Sequence, residues 1–270
     1  MKLAPMARVL AISSQVVRGH VGLAANVPAL QSLGHEVWAL PTVLLASRPG
    51  LGRLQRYELP QPDLAAMLEA LEADGCCPTL DAVFTGYFPS PGSVLVAAEA
   101  IARVKAANPR VLVCVDPILG DAGRLYVAQE TAEAIRDRLI PLADIATPNL
   151  FELTWLTGLR AESPVEVVQA ACKLGPSTVA VTSASHTDAG VGTLLVVRGA
   201  ISEQQSRTRS AIPNGAGDVL AGLFLGRLLQ HEPPEAALAA SLLSLDRVLA
   251  ASEGRPVLDL AVLNANPSPT

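Results

Sequence analysis

Apolar runs of roughly four to eight residues, broken by Gly, Pro or charge, recur along the whole chain and alternate with stretches of helical spacing. Residues 8–13 read as a short strand, and 22–33 follow with helical periodicity up to Gly34, a residue suited to a left-handed helix cap. Residues 36–40 predict the next strand. Residues 41–62, rich in Pro, Gly and Arg and without periodicity, read as a long loop, a kind of segment that often carries function. A helix over 63–73 with Asp63 as N-cap, a strand over 81–85 and a helix over 93–108 stopped before Pro109 come next. The continuous apolar run 111–115, bounded by Arg110 and Asp116-Pro117, predicts a central strand buried on both faces. Beyond it lie a helix over 131–139, a minimal strand at 144–146, a short helix over 149–157 closed by Gly158, a helix over 164–174, and strands over 178–182 and 193–198, with Gly199-Ala200 as the turn of an edge hairpin. Two apolar helices, 217–230 and 235–251, are joined through Glu232-Pro233-Pro234, and 264–270 reads as a loose tail.

Strands alternating with helices imply a parallel sheet covered on both faces, and the right-handed crossover rule makes a three-layer αβα sandwich the economical α/β solution. There is no internal repeat, low-complexity block or domain-splitting linker, so residues 1–263 are expected to form one domain. Half of the 270 residues are hydrophobic and only 3% are aromatic, which gives an aliphatic core and excludes wholesale disorder. A net charge of −5 with only three lysines (Lys2, Lys105, Lys173) argues against a nucleic-acid or anionic-membrane binder, so an anionic ligand must be held by local chemistry. No apolar run approaches the roughly 18 residues needed to span a bilayer, and the first ten residues carry no secretory pattern. Cys76, Cys77, Cys114 and Cys172 show no metal-ligand spacing, and reduced thiols in a cytoplasm are the expectation.

In an open parallel sheet ligands bind beyond the carboxyl ends of the strands, and there the chain is polar. Ser14 follows the first strand, Thr42 the second, Thr85-Gly86-Tyr87 the next, Asp116 the central one, then Thr147-Pro148-Asn149 and Thr182-Ser183. Each residue type is also a common turn former. The strongest local signal is Asn214-Gly215-Ala216-Gly217-Asp218, between Pro213 and an apolar helix. Its two glycines expose successive backbone amides at a helix N-terminus, where dipole and unpaired donors favour an anion such as phosphate. Asp218 in the first turn is then placed either to take a proton from an attacking hydroxyl or simply to complement the helix dipole. Asn149 and Glu152 match a capping box, and Glu152 equally suits a hydrated Mg²⁺. His20, His35, His186 and His231 have no ligand spacing, and Trp38 and Trp155 read as packing residues. Walker-type and dinucleotide glycine patterns, Gly-x-Ser-x-Gly and His-Glu-x-x-His are all missing from the sequence.

The Gly215-Ala216-Gly217-Asp218 turn into an apolar helix, Asp116-Pro117 after a buried strand, and Thr147-Pro148-Asn149-x-x-Glu152 together resemble the ribokinase-like superfamily of small-molecule kinases over nearly the whole chain. Within it, the string Ser14-Gln15-Val16-Val17-Arg18-Gly19-His20-Val21-Gly22, with Leu33-Gly34-His35-Glu36-Val37-Trp38, Thr42-Val43 and Thr85-Gly86-Tyr87, resembles the pyridoxal kinases. The resemblance implies ATP-dependent phosphorylation of the 5′-hydroxymethyl group of pyridoxal, pyridoxine or pyridoxamine. It implies Asp218 as base, Gly215, Ala216 and Gly217 as an anion hole, and Ser14, Thr42 and Tyr87 around the pyridine ring. It places Asn149, Thr182, Ser183 and Asn214 with Asp116 on the nucleotide side, and Asp116, Glu152 and Thr147 around Mg²⁺, with K⁺ and a homodimer as further expectations. The sequence departs from that family at Leu23, over 41–46 and over 47–52, on the vitamin side of the expected site. The stretch 185–192 is expected near the nucleotide, as part of a lid with Gly190 and Gly192 as hinges.

Other readings remain open on sequence. One is a kinase of the same fold acting on hydroxymethylpyrimidine or a sugar, and another is a protein that binds a B6 vitamer without turning it over. A dinucleotide-dependent oxidoreductase shares the sheet but not the glycine fingerprint.

Overall fold

The computed structural model describes residues 6–48, 50–53, 55–187, 190–209 and 211–265. The first half runs β1 (Arg8–Arg18), α1 (Leu23–Ser32), β2 (Glu36–Ser47), β3 (Arg56–Glu58), α2 (Gln61–Ala73), β4 (Ala82–Thr85), α3 (Pro91–Ala107) and β5 (Leu112–Val115). A small hairpin, β6 (Gly120–Asp121) and β7 (Arg124–Leu125), leads to α4 (Gln129–Ala134), β8 (Ile145–Ala146), α5 (Leu150–Thr157) and α6 (Pro164–Leu174). The chain closes with β9 (Thr178–Thr187), β10 (Gly190–Val197), β11 (Ala200–Ser206), α7 (Ala216–Leu229) and α8 (Pro234–Ser252). Among the described residues the main sheet has nine strands in the order β11-β10-β9-β8-β5-β4-β1-β2-β3. The run from β9 to β2 is parallel, with β10, β11 and β3 antiparallel at the edges. The α/β three-layer sandwich expected from the sequence is therefore the fold.

Alternation along the central strands supplies both faces with apolar side chains. Leu10, Ile12, Val83, Val113, Val115, Val179 and Val181 pack under α2 to α6, while Val9, Ala11, Phe84, Cys114 and Ala180 pack under α1, α7 and α8. Trp38 and Trp155 are partly buried against the first of these clusters, as their reading as packing residues requires. His35 is also structural: its Nδ1 accepts from Ala7 N–H at 3.2 Å and its Nε2 meets the Gly226 carbonyl at 2.8 Å, tying the start of β1 to α7. Side chains cap α3 through Ser90 and, as full capping boxes, α5 through Asn149/Glu152 and α6 through Ser163/Glu166, whereas α2 starts at Gln61 behind Pro60, so Asp63 lies in its first turn and not at its N-cap.

Other expectations change as well, and one element is new. Residues 41–62 are not a long loop: β2 continues through Pro41 to Ser47, and β3 pairs back against Val43 to Leu45. The register of β1 with β2 shifts between Ser13 and Ser14, leaving Thr42 as the extra residue of a bulge, a place where Pro is tolerated and where alternation breaks. The β6–β7 hairpin, turning through Ala122 and Gly123 at positive φ, is too short to carry a periodic signal. Finally, β9 and β10 extend past the sheet as a hairpin, and Gly190 and Gly192 lie paired within it rather than at free hinges. Positions 188, 189 and 266–270 lie outside the described residues, so most of the expected tail does too. The edge hairpin at Gly199-Ala200 is present, with Arg198 and Gly199 at positive φ in its turn. No helix among the described residues is long and apolar enough to cross a membrane.

Candidate active site

Because the central strands are parallel, their carboxyl ends open on one edge, and the polar residues that follow them meet there. On the β1–β2–β4 side, Ser13 Oγ accepts from Tyr87 N–H at 3.0 Å and Thr42 Oγ1 donates to the Tyr87 carbonyl at 2.8 Å. The Tyr87 backbone is thus held from β1, the strand beside β4, and from β2, one strand further out, with Thr42 reaching it from the bulge. Thr42 itself is fully buried, with its hydroxyl proton committed to that carbonyl. The Tyr87 phenol is half-buried, burial pushes its pKa up, and Arg56 on β3 acts on it in the opposite direction. Ser14 is buried against Gly22, where a Cβ would collide with the Ser14 carbonyl and hydroxyl. That approach, with φ of +57° at Gly22, leaves glycine as the residue that fits.

Opposite lies the N-terminus of α7. Gly215 caps it at φ +112° and ψ 0°, and a Cβ there would run into the His20 carbonyl. First-turn amides of a helix have no intrahelical partner, and the space beside Gly217 is open, since apart from its own helix backbone and chain neighbours no described atom lies within 4 Å of where its Cβ would be. Asn214 precedes the turn and is exposed. Asp218, in that first turn, is buried. Its carboxylate accepts from the Gly22 amide while Oδ1 has no partner, and burial pushes its pKa up to about 6. A desolvated carboxylate with one free oxygen beside unpaired amides combines a basic site with an anion cradle.

Two more carboxylates share this environment. Asp116, after β5, is pushed well above the usual carboxylate range by burial first, then by the charges of Asp218 and Glu152. Thr147 Oγ1, donating to Asp116 Oδ1 at 2.8 Å, opposes this. Glu152 is pushed up to about 7 by burial even though three amides donate to it: Asn149 to Oε2 at 2.9 Å, and Leu119 and Gly120 to Oε1 at 2.9 and 3.4 Å. Glu152 therefore serves first as a clasp that fixes the Leu119–Gly120 backbone to the start of α5, and Asn149 Nδ2 reinforces it by donating to the Gly120 carbonyl at 2.9 Å. The charged groups acting on these three carboxylates are all acidic. Such a cluster suits a divalent cation shared with phosphate oxygens. Among the described residues no three His, Cys, Asp or Glu side chains converge to hold a metal ion by themselves.

Thr182 and Ser183 sit where β9 bulges away from β10, since Val181 pairs with Leu194 and Ser185 with Gly192. Ser183 adopts φ +51°, and Thr182 N–H donates to the Pro148 carbonyl at 2.9 Å, which sets both residues beside Asn149. An open cleft of about 630 Å³ begins there, lined by Asn149 and Ser183 together with Asp121, Gly123, Arg160 and His186. Sequence reasoning did not find the Gly22 amide as the partner of Asp218, nor the hairpin that carries Asp121 to this cleft. The first pairs residues far apart in the chain, and the second has strands of two residues.

Residues 18–257 match the family model described as phosphomethylpyrimidine kinase. A pyridoxal kinase PdxY of Deinococcus radiodurans is 38% identical over 257 residues, covering 89% of this chain and 85% of that protein. The crystal structure of the pyridoxal kinase from Entamoeba histolytica superposes with a TM-score of 0.87 at 27% identity, covering 95% of this chain and 94% of the other. The pyridoxal kinase from Leishmania donovani in complex with ADP and pyridoxine superposes with a TM-score of 0.84 at 26% identity, over 95% and 91% of the two chains. The chain belongs to the phosphomethylpyrimidine kinase family and, within it, to the pyridoxal kinases.

Proposed function

We propose that this enzyme transfers the γ-phosphoryl group of ATP to the 5′-hydroxymethyl group of a B6 vitamer, giving pyridoxal 5′-phosphate or its relatives. The observation that carries the reading is the Asp218 carboxylate, buried with one unpartnered oxygen in the first turn behind the Gly215 cap. Asp218 takes the hydroxyl proton as the substrate oxygen bonds to the γ-phosphorus, and the bond from that phosphorus to the β–γ bridging oxygen breaks to release ADP. A pKa of about 6 makes Asp218 a stronger base than an ordinary aspartate while leaving it ionised at neutral pH. The amides of Gly215, Ala216 and Gly217 receive the charge on the transferring group and need no reorganisation. On the ring side, Tyr87 packs against the pyridine and Ser14 hydrogen-bonds its substituents. Thr42, whose proton is already donated, acts there as an acceptor and as the support of Tyr87.

Asn149, Thr182, Ser183 and Asn214 are assigned to the nucleotide side. Asp116, assisted by Thr147, is the residue that would hold Mg²⁺, with Glu152 fixing the adjoining backbone. The ion would supply neutralisation of the β- and γ-phosphate oxygens. Among the described residues the charged groups acting on Asp116, Glu152 and Asp218 are acidic, which supports this assignment. We read residues 1–263 as one catalytic domain of a cytoplasmic enzyme. We also assign the exposed Val17, Leu44 and Tyr57 of the β1–β2–β3 flap to the interface of a homodimer.

The deciding experiment is an ATP-consumption assay across pyridoxal, pyridoxine, pyridoxamine, hydroxymethylpyrimidine and ribose, with and without Mg²⁺ and K⁺. Turnover of at least one B6 vitamer in preference to the other alcohols is expected. Preference for hydroxymethylpyrimidine, or vitamer binding without ADP formation, overturns the reading.

A further inference from the structure

We propose that Arg48 is a positioning residue for phosphoryl transfer, acting through the two segments that wall the Gly215–Asp218 turn. The proposal rests on the reading of that turn as the transfer site. Arg48 stands just past β2, where its N–H donates to the Arg18 carbonyl at 3.0 Å and fixes it beside the end of β1. Its aliphatic stem lies over Gly19, so closely that a Cβ on Gly19 would be 3.0 Å from Arg48 Cγ and 3.2 Å from its Cβ. Its Nη2 then reaches across to donate to the Pro256 carbonyl at 2.8 Å.

Both ends of this strap lead to the catalytic turn. From Gly19 the chain passes directly to His20, whose carbonyl abuts Gly215, and to Gly22, whose amide donates to Asp218. Two residues beyond Pro256, the buried Leu258 brings Cδ1 to 3.2 Å from where a Gly215 Cβ would lie. A single half-buried side chain, contributed by the flap that also carries Thr42, thus presses the 19–22 loop down and holds 256–258 against it. The planar guanidinium suits this role because little freedom is lost when its donors meet a fixed carbonyl, and the stem supplies packing independent of charge. Releasing the strap lets the base and the anion cradle drift relative to each other. Misplacement of that kind lowers the rate of the chemical step more than ground-state affinity.

The test compares wild type, Arg48→Ala and Arg48→Lys by steady-state kinetics and by hydrogen exchange. Arg48→Ala is expected to lower kcat by about tenfold or more while KM for ATP and for the vitamer stays within about threefold. Arg48→Lys, which keeps a stem over Gly19 and a donor for Pro256, is expected to recover most of the rate. Amides in peptides spanning 18–24 and 213–220 are expected to exchange about tenfold faster in Arg48→Ala, with the central strands unchanged. Should Arg48→Ala not fold, Arg48→Met, which keeps the stem and loses the donor, carries the same expectations. A tenfold rise in KM for the vitamer at unchanged kcat would make Arg48 a substrate contact and overturn the proposal, as would wild-type exchange in both peptides. An enzyme that accepts no B6 vitamer refutes the substrate reading instead, and the exchange measurement, which needs no substrate, still decides the role of Arg48.

Discussion

Replacing Asp218 by Asn is expected to abolish most turnover and at the same time to stabilise the folded protein at alkaline pH. Burial raises the Asp218 pKa from 3.8 to about 6. At about 1.4 kcal/mol per unit, ionising it in the native state costs about 3 kcal/mol relative to the unfolded chain. The sign follows from linkage. A carboxylate with a raised native pKa favours the fold below the unfolded value near 4, and that contribution is lost as pH rises through about 6. Asn carries no charge to desolvate and keeps an oxygen for the Gly22 amide, but its buried amide hydrogens need acceptors, which offsets about 1–2 kcal/mol. A net gain of about 1–2 kcal/mol at pH 8 corresponds to a Tm higher by about 2–4 °C for a chain of this size. The gain is expected to fall to about zero near pH 5 and to reverse below about pH 4, where wild-type Asp218 is protonated in both states and only the cost of the unpaired Asn amide remains. Neutralising Asp218 also relieves Asp116, on which its charge acts. Thermal melts of both proteins across that pH range, alongside kcat at pH 8, make the measurement. A fall in kcat of about 10²–10⁴ is expected. A variant no more stable than wild type at pH 8, with a gap independent of pH, would refute the placement of a desolvated carboxylate at this turn. Near-normal turnover would refute its role as base.

The remaining expectations are simpler to measure. The profile of kcat/KM against pH should show an acid limb near 6 on which activity rises with pH, because the base must lose its proton; a limb near 4 would mean an unshifted carboxylate. Gly215→Ala should lower stability by about 1–3 kcal/mol and depress turnover, since alanine at φ +112° is strained and its methyl meets the His20 carbonyl; a variant with an unchanged melting curve would contradict the turn geometry. Val17→Asp, placing a charge on the outermost apolar residue of the flap, should shift sedimentation velocity from dimer to monomer. An unchanged dimer would put the interface elsewhere.

Strand and helix order was legible because both cores depend on periodicity. The runs around Val9 to Ile12 and Val113 to Val115 feed two buried faces, and the turn at Gly215 declares itself through its glycines. The flap was not legible. Pro41 and the extra residue Thr42 interrupt alternation at the place where β2 leaves the core, and β3 is wholly exposed, so hydrophobicity marks neither. Within the site, sequence order placed Asp116, Thr147, Asn149 and Asp218 at element ends, where the structure finds them. It was silent on which of them touch, because the Gly22–Asp218 and Arg48–Pro256 contacts join segments about two hundred residues apart and arise from crossover topology rather than from local pattern. Glu152 shows a further limit: the same spacing writes a capping box and a ligand, and here three amides claim the carboxylate.

The irregularity at Thr42 separates two kinds of constraint that usually coincide. Pairing between β1 and β2 resumes immediately after it, with Ser14 opposite Val43, so the ladder does not need the residue that protrudes. The side chain there is therefore chosen by the pocket it faces, where Thr42 holds the Tyr87 carbonyl, and not by the pairing of the strands.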